Sequence, residues 1–248
     1  MKILVLIAGV HDPKWPVTPE SAFAVSAPDH RIMSPFEEAA LEMALRIRDA
    51  RPKAEIAVRV GGGSNGIRIA RTAAAFNIAD IGTIGFERAW DQSAVAHAIA
   101  PLASDADLIL IGREFGDFDD GMVPPLLAGL LGLPFFGRAQ TVHTVGEISM
   151  MRDAGLVSET LSLAGPVLVS ATNDRRTRLR KPLMKNVMQA RQAVVGETAA
   201  PQAPTVALDL SGMALSSGGR SRTECAMIAG TMAEQASALA TMLWGARA

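Results

Sequence analysis

Residues 108–134 read LILIGREFGDFDDGMVPPLLAGLLGLP, and the order of these elements decides the fold. Leu108 to Gly112 is a continuous apolar run, the pattern of a parallel strand covered on both faces. A polar turn carrying Asp117, Asp119 and Asp120 follows, and an apolar helix is expected from about Val123. Open parallel sheets bind ligands outside the carboxyl ends of their strands, where such a loop runs into a helix. Unpaired amide N–H groups at the helix start, together with the positive end of its dipole, favour an anion such as phosphate. The segment fits equally a plain strand–turn–helix unit with a solvated acidic loop, and by itself it leaves both readings open.

Working outward, KILVLIAGV (2–10) has the same buried-strand pattern and is too short, with the wrong flanks, for a secretory signal. A Pro-rich loop (11–20) and an extended ribbon (21–33) follow. Ser34, Pro35 and Glu37 then mark a helix start, with Ser34 and Glu37 spaced as a capping box and Pro35 at the first helical position. Ala40, Leu41, Ala44 and Leu45 give that helix one apolar face, ending near Ala50. EIAVRV (55–60) is a second strand. GGGSNG (61–66) opens a helix through Ile67, Ala70, Ala73 and Phe76, and Ile81 to Gly85 and a helix over 92–102 complete the repeats. Beyond Leu133-Pro134 the pattern changes. QTVHTVGEISMMRD (140–153) predicts a hairpin about Gly146-Glu147, PVLVSAT (166–172) a further strand, and 174–191 a basic loop entering a short amphipathic helix. Residues 196–204 read as a Pro/Ala-rich linker. The tail is expected to be helical, with Ser221 and Glu224 as a capping box and Ile228, Met232, Leu239, Met242 and Leu243 as its apolar stripe. The sum is an α/β chain: a Rossmann-like, doubly wound, mainly parallel sheet over 1–195 with an added hairpin, and a linker with a C-terminal helical arm over 196–248.

Composition narrows the function. At 248 residues and 49% apolar, the chain can bury one large core. A net charge of −1 argues against nucleic acid or a membrane surface as partner, and no apolar run is long enough to span a bilayer, so a cytoplasmic protein is expected. A single cysteine, Cys225, excludes an internal disulfide framework and fits a reducing compartment; it reads as a packing residue. His11, His30, His97 and His143 lack metal-ligand spacing, and neither a nucleophile elbow nor a P-loop occurs. Neither a metal site nor catalytic residues are therefore expected. GGGSNG matches a dinucleotide fingerprint literally, but it follows the second strand, and Asp80 precedes the next strand where the ribose-binding acid should end it. A tight turn or a ligand-side glycine loop is the better reading. The three loop aspartates lack EF-hand spacing and read as a solvated or N-capping set. The basic run Arg175, Arg176, Arg178, Arg180, Lys181, Lys185 has no interleaved aromatics, in a chain without tyrosine. It is either a solvated loop or a docking surface for an acidic partner.

Taken together, the segments resemble the β subunit of electron transfer flavoprotein, the family that includes the FixA proteins, over about residues 1–195. KILVLIAGVHDP is similar to that family's opening strand. SPFEEAALEMALRIRD resembles its N-P-F-[DE]-x-x-A-x-E-x-A-x-R-[LI] helix, the 108–134 stretch its L-x-G-x-x-A-x-D-x-D-[ST]-G-Q segment, and NVMQAR the end of its partner-recognition loop. The resemblance implies an adenine nucleotide α-hydrolase-like fold and a heterodimer with an α subunit that holds most of an FAD. That flavin would take electrons from a flavin dehydrogenase and pass them to a quinone reductase or another acceptor. It also implies AMP in the β subunit, in an environment that here would be Leu6, Ser34, Phe36, Val60, Asp117, Asp119, Asp120, Gly121, Met122, Val123, Pro124 and Pro125. His11, Asp12 and Pro13 would approach the α-subunit FAD, and Arg178, Arg180, Pro182, Leu183 and Met184 would meet a docked partner, Met184 in place of an anchoring leucine. Departures stand out. Asp120 and Met122 replace a hydroxyl and an amide of the phosphate loop, and a carboxylate repels phosphate, so AMP binding is expected to be weak. Ala8 replaces a lysine, and Thr177 to Arg180 replace the usual recognition sequence. The alternative is a stand-alone AMP- or ATP-binding module of the stress-protein type.

Overall fold

The computed structural model describes residues 1–15, 18–19, 25–26, 30–86, 89–144, 146–198 and 227–245. Strands β1 (Lys2–Ile7), β2 (Glu55–Gly61), β3 (Asp80–Ile84) and β4 (Leu108–Gly112) alternate with helices α1 (Pro35–Ala50), α2 (Ile67–Ala74), α3 (Gln92–Ala103) and α4 (Val123–Leu131). Strand β5 (Phe135–Ala139) follows, then an antiparallel ribbon of β6 (Thr141–His143), β7 (Ile148–Ala154) and β8 (Val157–Leu163). The chain continues through β9 (Val167–Ala171), α5 (Met184–Ala190) and β10 (Gly196–Thr198). The main sheet has seven strands in the order β10-β3-β2-β1-β4-β9-β5, and every pairing in it is parallel. The chain therefore winds one way from β1 to β3 and the other way from β4, with its switch point between β1 and β4.

The apolar runs are continuous because both sheet faces are covered, and the two-residue strand period divides them. Ile3, Val5, Ile7, Leu108 and Leu110 enter one core with α1 and α2. Leu4, Leu6, Ile109 and Ile111 enter the other with α3 and α4. Helix α1 begins as its sequence predicts. Ser34 Oγ accepts from Glu37 N at 3.2 Å, Glu37 Oε2 accepts from Ser34 N at 2.7 Å, and Pro35 opens the first turn. GGGSNG is a tight turn, a 3₁₀ segment from Gly63 to Gly66. Gly62 holds φ at +102°, a conformation costly for any residue with a Cβ, and its N–H donates to Ile84 O at 2.9 Å. The turn thus ties β2 to β3.

Several elements differ from the sequence expectation. Strand β5 was unforeseen: it is short, contains Gly137, and is irregular, with Arg138 at a φ of +57° beside a register shift against β9. The hairpin over 140–153 gains a third strand, β8, which is exposed along all but its last residue, Leu163. Gly196–Thr198, inside the stretch expected to be linker, adds to the edge of the main sheet, because the exposed rim of β3 still offers unpaired backbone groups. Of the 21–33 ribbon, Arg31–Ile32 pairs with Val10–His11, and most of the remainder lies outside the described residues. Ser221, Glu224 and Cys225 also lie outside them. The tail helix α6 (Met232–Gly245) is opened by Thr231 and Glu234 instead, with Thr231 N donating to Glu234 Oε2 at 2.7 Å. It belongs to a second compact unit and exposes Met232, Leu239, Met242, Leu243 and Trp244. Among the described residues no helix is long and apolar enough to cross a membrane.

The centre of the sheet sets the stability. Leu110 is fully buried in β4, with partners on both sides, and Leu110→Ala is expected to cost about 2–5 kcal/mol, read from the urea midpoint of the full chain.

Candidate functional site

The carboxyl ends of β1, β2 and β4 converge on a cavity of about 230 Å³, lined in part by Gly61, Asn65, Phe86, Phe115, Asp117 and Arg31. Phe86 and Phe115 meet edge to face at 6.2 Å. A larger cleft, about 550 Å³, lies at the amino ends of the strands, where ligands of such sheets do not bind. Its charges are also consumed, Lys2 by Asp105 at 2.8 Å and Arg59 by Asp80 at 2.7 Å. The carboxyl-end cavity is the candidate site.

Its walls are held by four carboxylates. Glu37, fully buried, accepts Ala8 N at 2.6 Å and Gly9 N at 2.9 Å besides Ser34 N, so the exit of β1 is bound to the start of α1. Burial holds its carboxyl above the ordinary carboxylate range, and the N–H groups of Ser34, Gly9 and Ala8 offset that only in part. Asp119 accepts four backbone N–H groups: Phe115 at 2.8 Å, Gly121 at 2.9 Å, Met122 at 2.8 Å and Val123 at 3.2 Å. It caps α4 from within. Asp117 accepts His11 N at 3.1 Å and faces Arg31 at 3.7 Å, while Asp120 accepts Gln92 Nε2 at 3.2 Å at the head of α3. Among the described residues no group of His, Cys, Asp and Glu is arranged to hold a metal.

The residues expected around a nucleotide are therefore divided. Leu6 and Val60 are fully buried in different cores, with their side chains on opposite faces of the sheet. The strand period separates them. Ser34 is a helix cap, and the Phe36 ring carries the Arg113 guanidinium at 4.7 Å. Gly121, Met122 and Val123 direct their N–H groups at Asp119, and Pro124 and Pro125 form the first turn of α4. Asp119 is the second aspartate of the D-x-D pattern and holds the amides of this loop, while the two departures from that pattern, Asp120 and Met122, lie beside it.

His11 and Asp12, half-buried, and Pro13, exposed, form a rim beside this cavity. Val10–His11 pairs with Arg31–Ile32, Asp12 N donates to His30 O at 2.8 Å, and Trp15 stacks on His30 with centroids 4.0 Å apart. Trp15 and His30 were not anticipated, and their separation in sequence concealed the stack.

The expected docking residues are of two kinds. Arg180 is not a free cation: its guanidinium embraces the buried Glu42 at 3.0 Å and reaches Asp49, and its backbone N–H also donates to Glu42 at 3.1 Å. Arg178 is exposed near Glu38, whose carboxyl burial pushes up and Arg178 pulls down. Pro182 is half-buried, while Leu183 and Met184 are 64% and 75% exposed at the head of α5, with Met188 one turn on at 54%. An ion pair inside thus presents an apolar strip outside.

The strand order, switch-point crevice and helix layers define a Rossmann-like α/β subunit. A family model described as the electron transfer flavoprotein domain matches residues 24–203. The chain is 30% identical over 214 residues to the mitochondrial electron transfer flavoprotein subunit beta of Oryza sativa subsp. indica, covering 79% of this chain and 80% of the relative. It is 27% identical to the subunit beta of Megasphaera elsdenii, covering 86% and 84%, and 27% identical to that of Syntrophomonas wolfei, covering 82% and 81%. The chain belongs to the electron transfer flavoprotein β-subunit family.

Two variants test the geometry. In Glu37→Gln the amide oxygen can still serve Ala8 and Gly9, but its NH₂ then faces the Ser34 N–H. A loss of about 1–3 kcal/mol is expected in chemical denaturation. For Glu42, burial pushes the carboxyl up but the hydrogen bonds from Arg180 and Arg46 prevail and lower it from 4.5. The folded carboxyl is the stronger acid, so the unfolded chain takes the proton first. The stabilisation is full above 4.5 and is lost as pH falls through the lowered folded value. Arg180→Gln is expected to cost about 1–3 kcal/mol at neutral pH, and the gap to the wild type should close on acidification.

Proposed function

We propose that this chain is the β subunit of a heterodimeric electron transfer flavoprotein, which completes the FAD site of an α subunit and presents a docking surface to a flavin dehydrogenase. Electrons would pass on to a quinone reductase or a similar acceptor. The family match over residues 24–203 carries this reading, since it spans both the 108–134 strand–loop–helix and the 178–190 segment. The flavin, when bound, supplies the redox chemistry; the chain's own residues shape, cover and dock.

Three features support those roles. The rim at His11 to Pro13 is pinned by its pairing with Arg31–Ile32 and by Asp117, so it offers a preformed edge to a partner subunit, with little ordering left for assembly to require. Leu183, Met184 and Met188 are exposed apolar side chains on a segment fixed by Arg180 and Glu42, and methionine adapts to differently shaped partners. A small, flexible anchor suits a transient complex that must form and part at every transfer. The apolar side chains of α6 suit an arm laid on the α subunit.

Co-expression with the presumptive α subunit is expected to yield a yellow complex in equal proportions; colourless, separately eluting chains would refute the assignment. Met184→Glu should leave that complex and its flavin spectrum intact while lowering dehydrogenase-driven reduction of the flavin about tenfold or more, a loss of about 1.4 kcal/mol in the encounter. An unchanged rate would remove Met184 from the docking surface.

A further inference from the structure

We propose that the apolar side chains at the head of α5 sit inside a collar of outward cations, Arg175, Arg178, Lys181, Lys185 and Arg191, and that this surface takes a protein partner whose docking pocket is rimmed by acids. The inference rests on the docking role proposed above and names the chemistry of the partner.

Positive charge is concentrated in this segment. Residues 174–191 carry seven cations and one acid in a chain whose net charge is −1, so the rest of the molecule holds an excess of acids. Folding then divides the seven. Arg176 is held by Asp174 at 2.8 Å and Asp153 at 3.1 Å, and Arg180 by Glu42 at 3.0 Å and by Asp49. The other five are exposed and form no ion pair among the described residues. Arg175 and Arg178 share an open groove with two acids. One is Asp174, which Arg176 engages; the other is Glu38, half-buried, whose carboxyl burial holds above its ordinary value against the pull of Arg178. The outer surface stays positive.

The cations surround an apolar centre. Met184 and Met188 are one turn apart on the same face of α5, opposite the buried Asn186 and Ala190. Lys185 borders that face, and Arg191 closes it about 10 Å along the axis from Met184. Arg178 and Lys181 lie on the stretch leading into the helix, at most about 22 Å from Met184.

Nucleic acid and anionic lipid fit this surface less well than protein does. Residues 174–191 contain no aromatic side chain to stack a base. Leu183, Met184 and Met188 offer little apolar area to anchor a helix in a bilayer. An apolar centre within a polar rim is the anatomy of a protein interface, and rim charges act mainly on partner choice and encounter rate. The complement is an apolar pocket edged by Asp and Glu.

Collar and anchor leave different signatures. Where encounter with the dehydrogenase limits reduction of the flavin in the co-expressed complex, the second-order rate should fall about tenfold or more between about 20 and 300 mM sodium chloride, as screening removes the long-range attraction. The combined variant Arg178→Gln, Lys181→Gln and Lys185→Gln should be about tenfold slower at low salt and converge on the wild type at high salt, with its flavin spectrum intact. Met184→Ala removes the anchor and no charge, and should slow reduction at every salt concentration. A wild-type rate that is flat or rises with salt overturns the proposal, as does a combined variant with the wild-type salt dependence.

The collar can also be read without a partner subunit. The chain alone should bind poly-L-glutamate at low salt, and the combined variant about tenfold more weakly; equal binding by the two overturns the proposal. Retention of the chain by single-stranded DNA or by phosphatidylserine vesicles at about 150 mM salt would assign the patch to nucleic acid or lipid and overturn it as well. A colourless co-expression product sinks the β-subunit reading and leaves the collar to the poly-L-glutamate measurement. A yellow complex reduced at a salt-independent rate sinks the acidic partner alone.

Discussion

The contact on which the crevice depends is the buried carboxylate of Glu37. Strand β1 ends with Ala8 and Gly9 turning out of the sheet, and their N–H groups lose their ladder partners there. Glu37, at the third position of α1, receives both and at the same time closes the cap on Ser34. Burying a carboxylate is unfavourable; three directed N–H donors offset part of that cost and fix its geometry. The exit of β4 is shaped to fit: a Cβ at Gly112 would lie 3.2 Å from Glu37 Cγ and 2.9 Å from the Glu114 carbonyl oxygen. One side chain therefore joins the exits of β1 and β4 to the start of α1, which is to say it builds the switch point.

The same principle recurs around that point. Asp119 serves the start of α4, Asp117 the turn at His11, and Asp91 the start of α3 through Ala94 N at 3.0 Å. Acids taken from the chain itself satisfy the amides that a parallel sheet exposes at its carboxyl edge. A scaffold finished in this way needs little further ordering when a partner binds.

Over residues 178–190, order is created at a distance. Glu42 faces inward from the middle of α1, and Arg180 reaches it from far along the chain with both backbone and guanidinium donors. The segment that follows is held at its base, so Leu183 and Met184 protrude from a fixed footing. The basic run that looked uniform in sequence thus divides: Arg180 and Arg176 are engaged by acids, Arg176 by Asp174 at 2.8 Å and Asp153 at 3.1 Å, while Arg178 stays outward.

Sequence alone determined the elements whose signals are local. The Ser34–Glu37 box, the uninterrupted strands at 2–7 and 108–112, and the βα repeats follow from capping chemistry and period, which neighbouring residues carry in full. The motif order was legible for the same reason, and it carried the family. Tertiary structure decided what depends on partners distant in sequence. Strand β5 and the edge strand at Gly196–Thr198 form because another strand offers hydrogen bonds, and their own residues do not announce it. It also decided the fate of the acids. Asp117, Asp119 and Asp120 are equivalent in sequence, and only folding gives each its donor: a turn amide, a helix start and a glutamine side chain, because a carboxylate's role is set by which N–H groups are brought within about 3 Å of it.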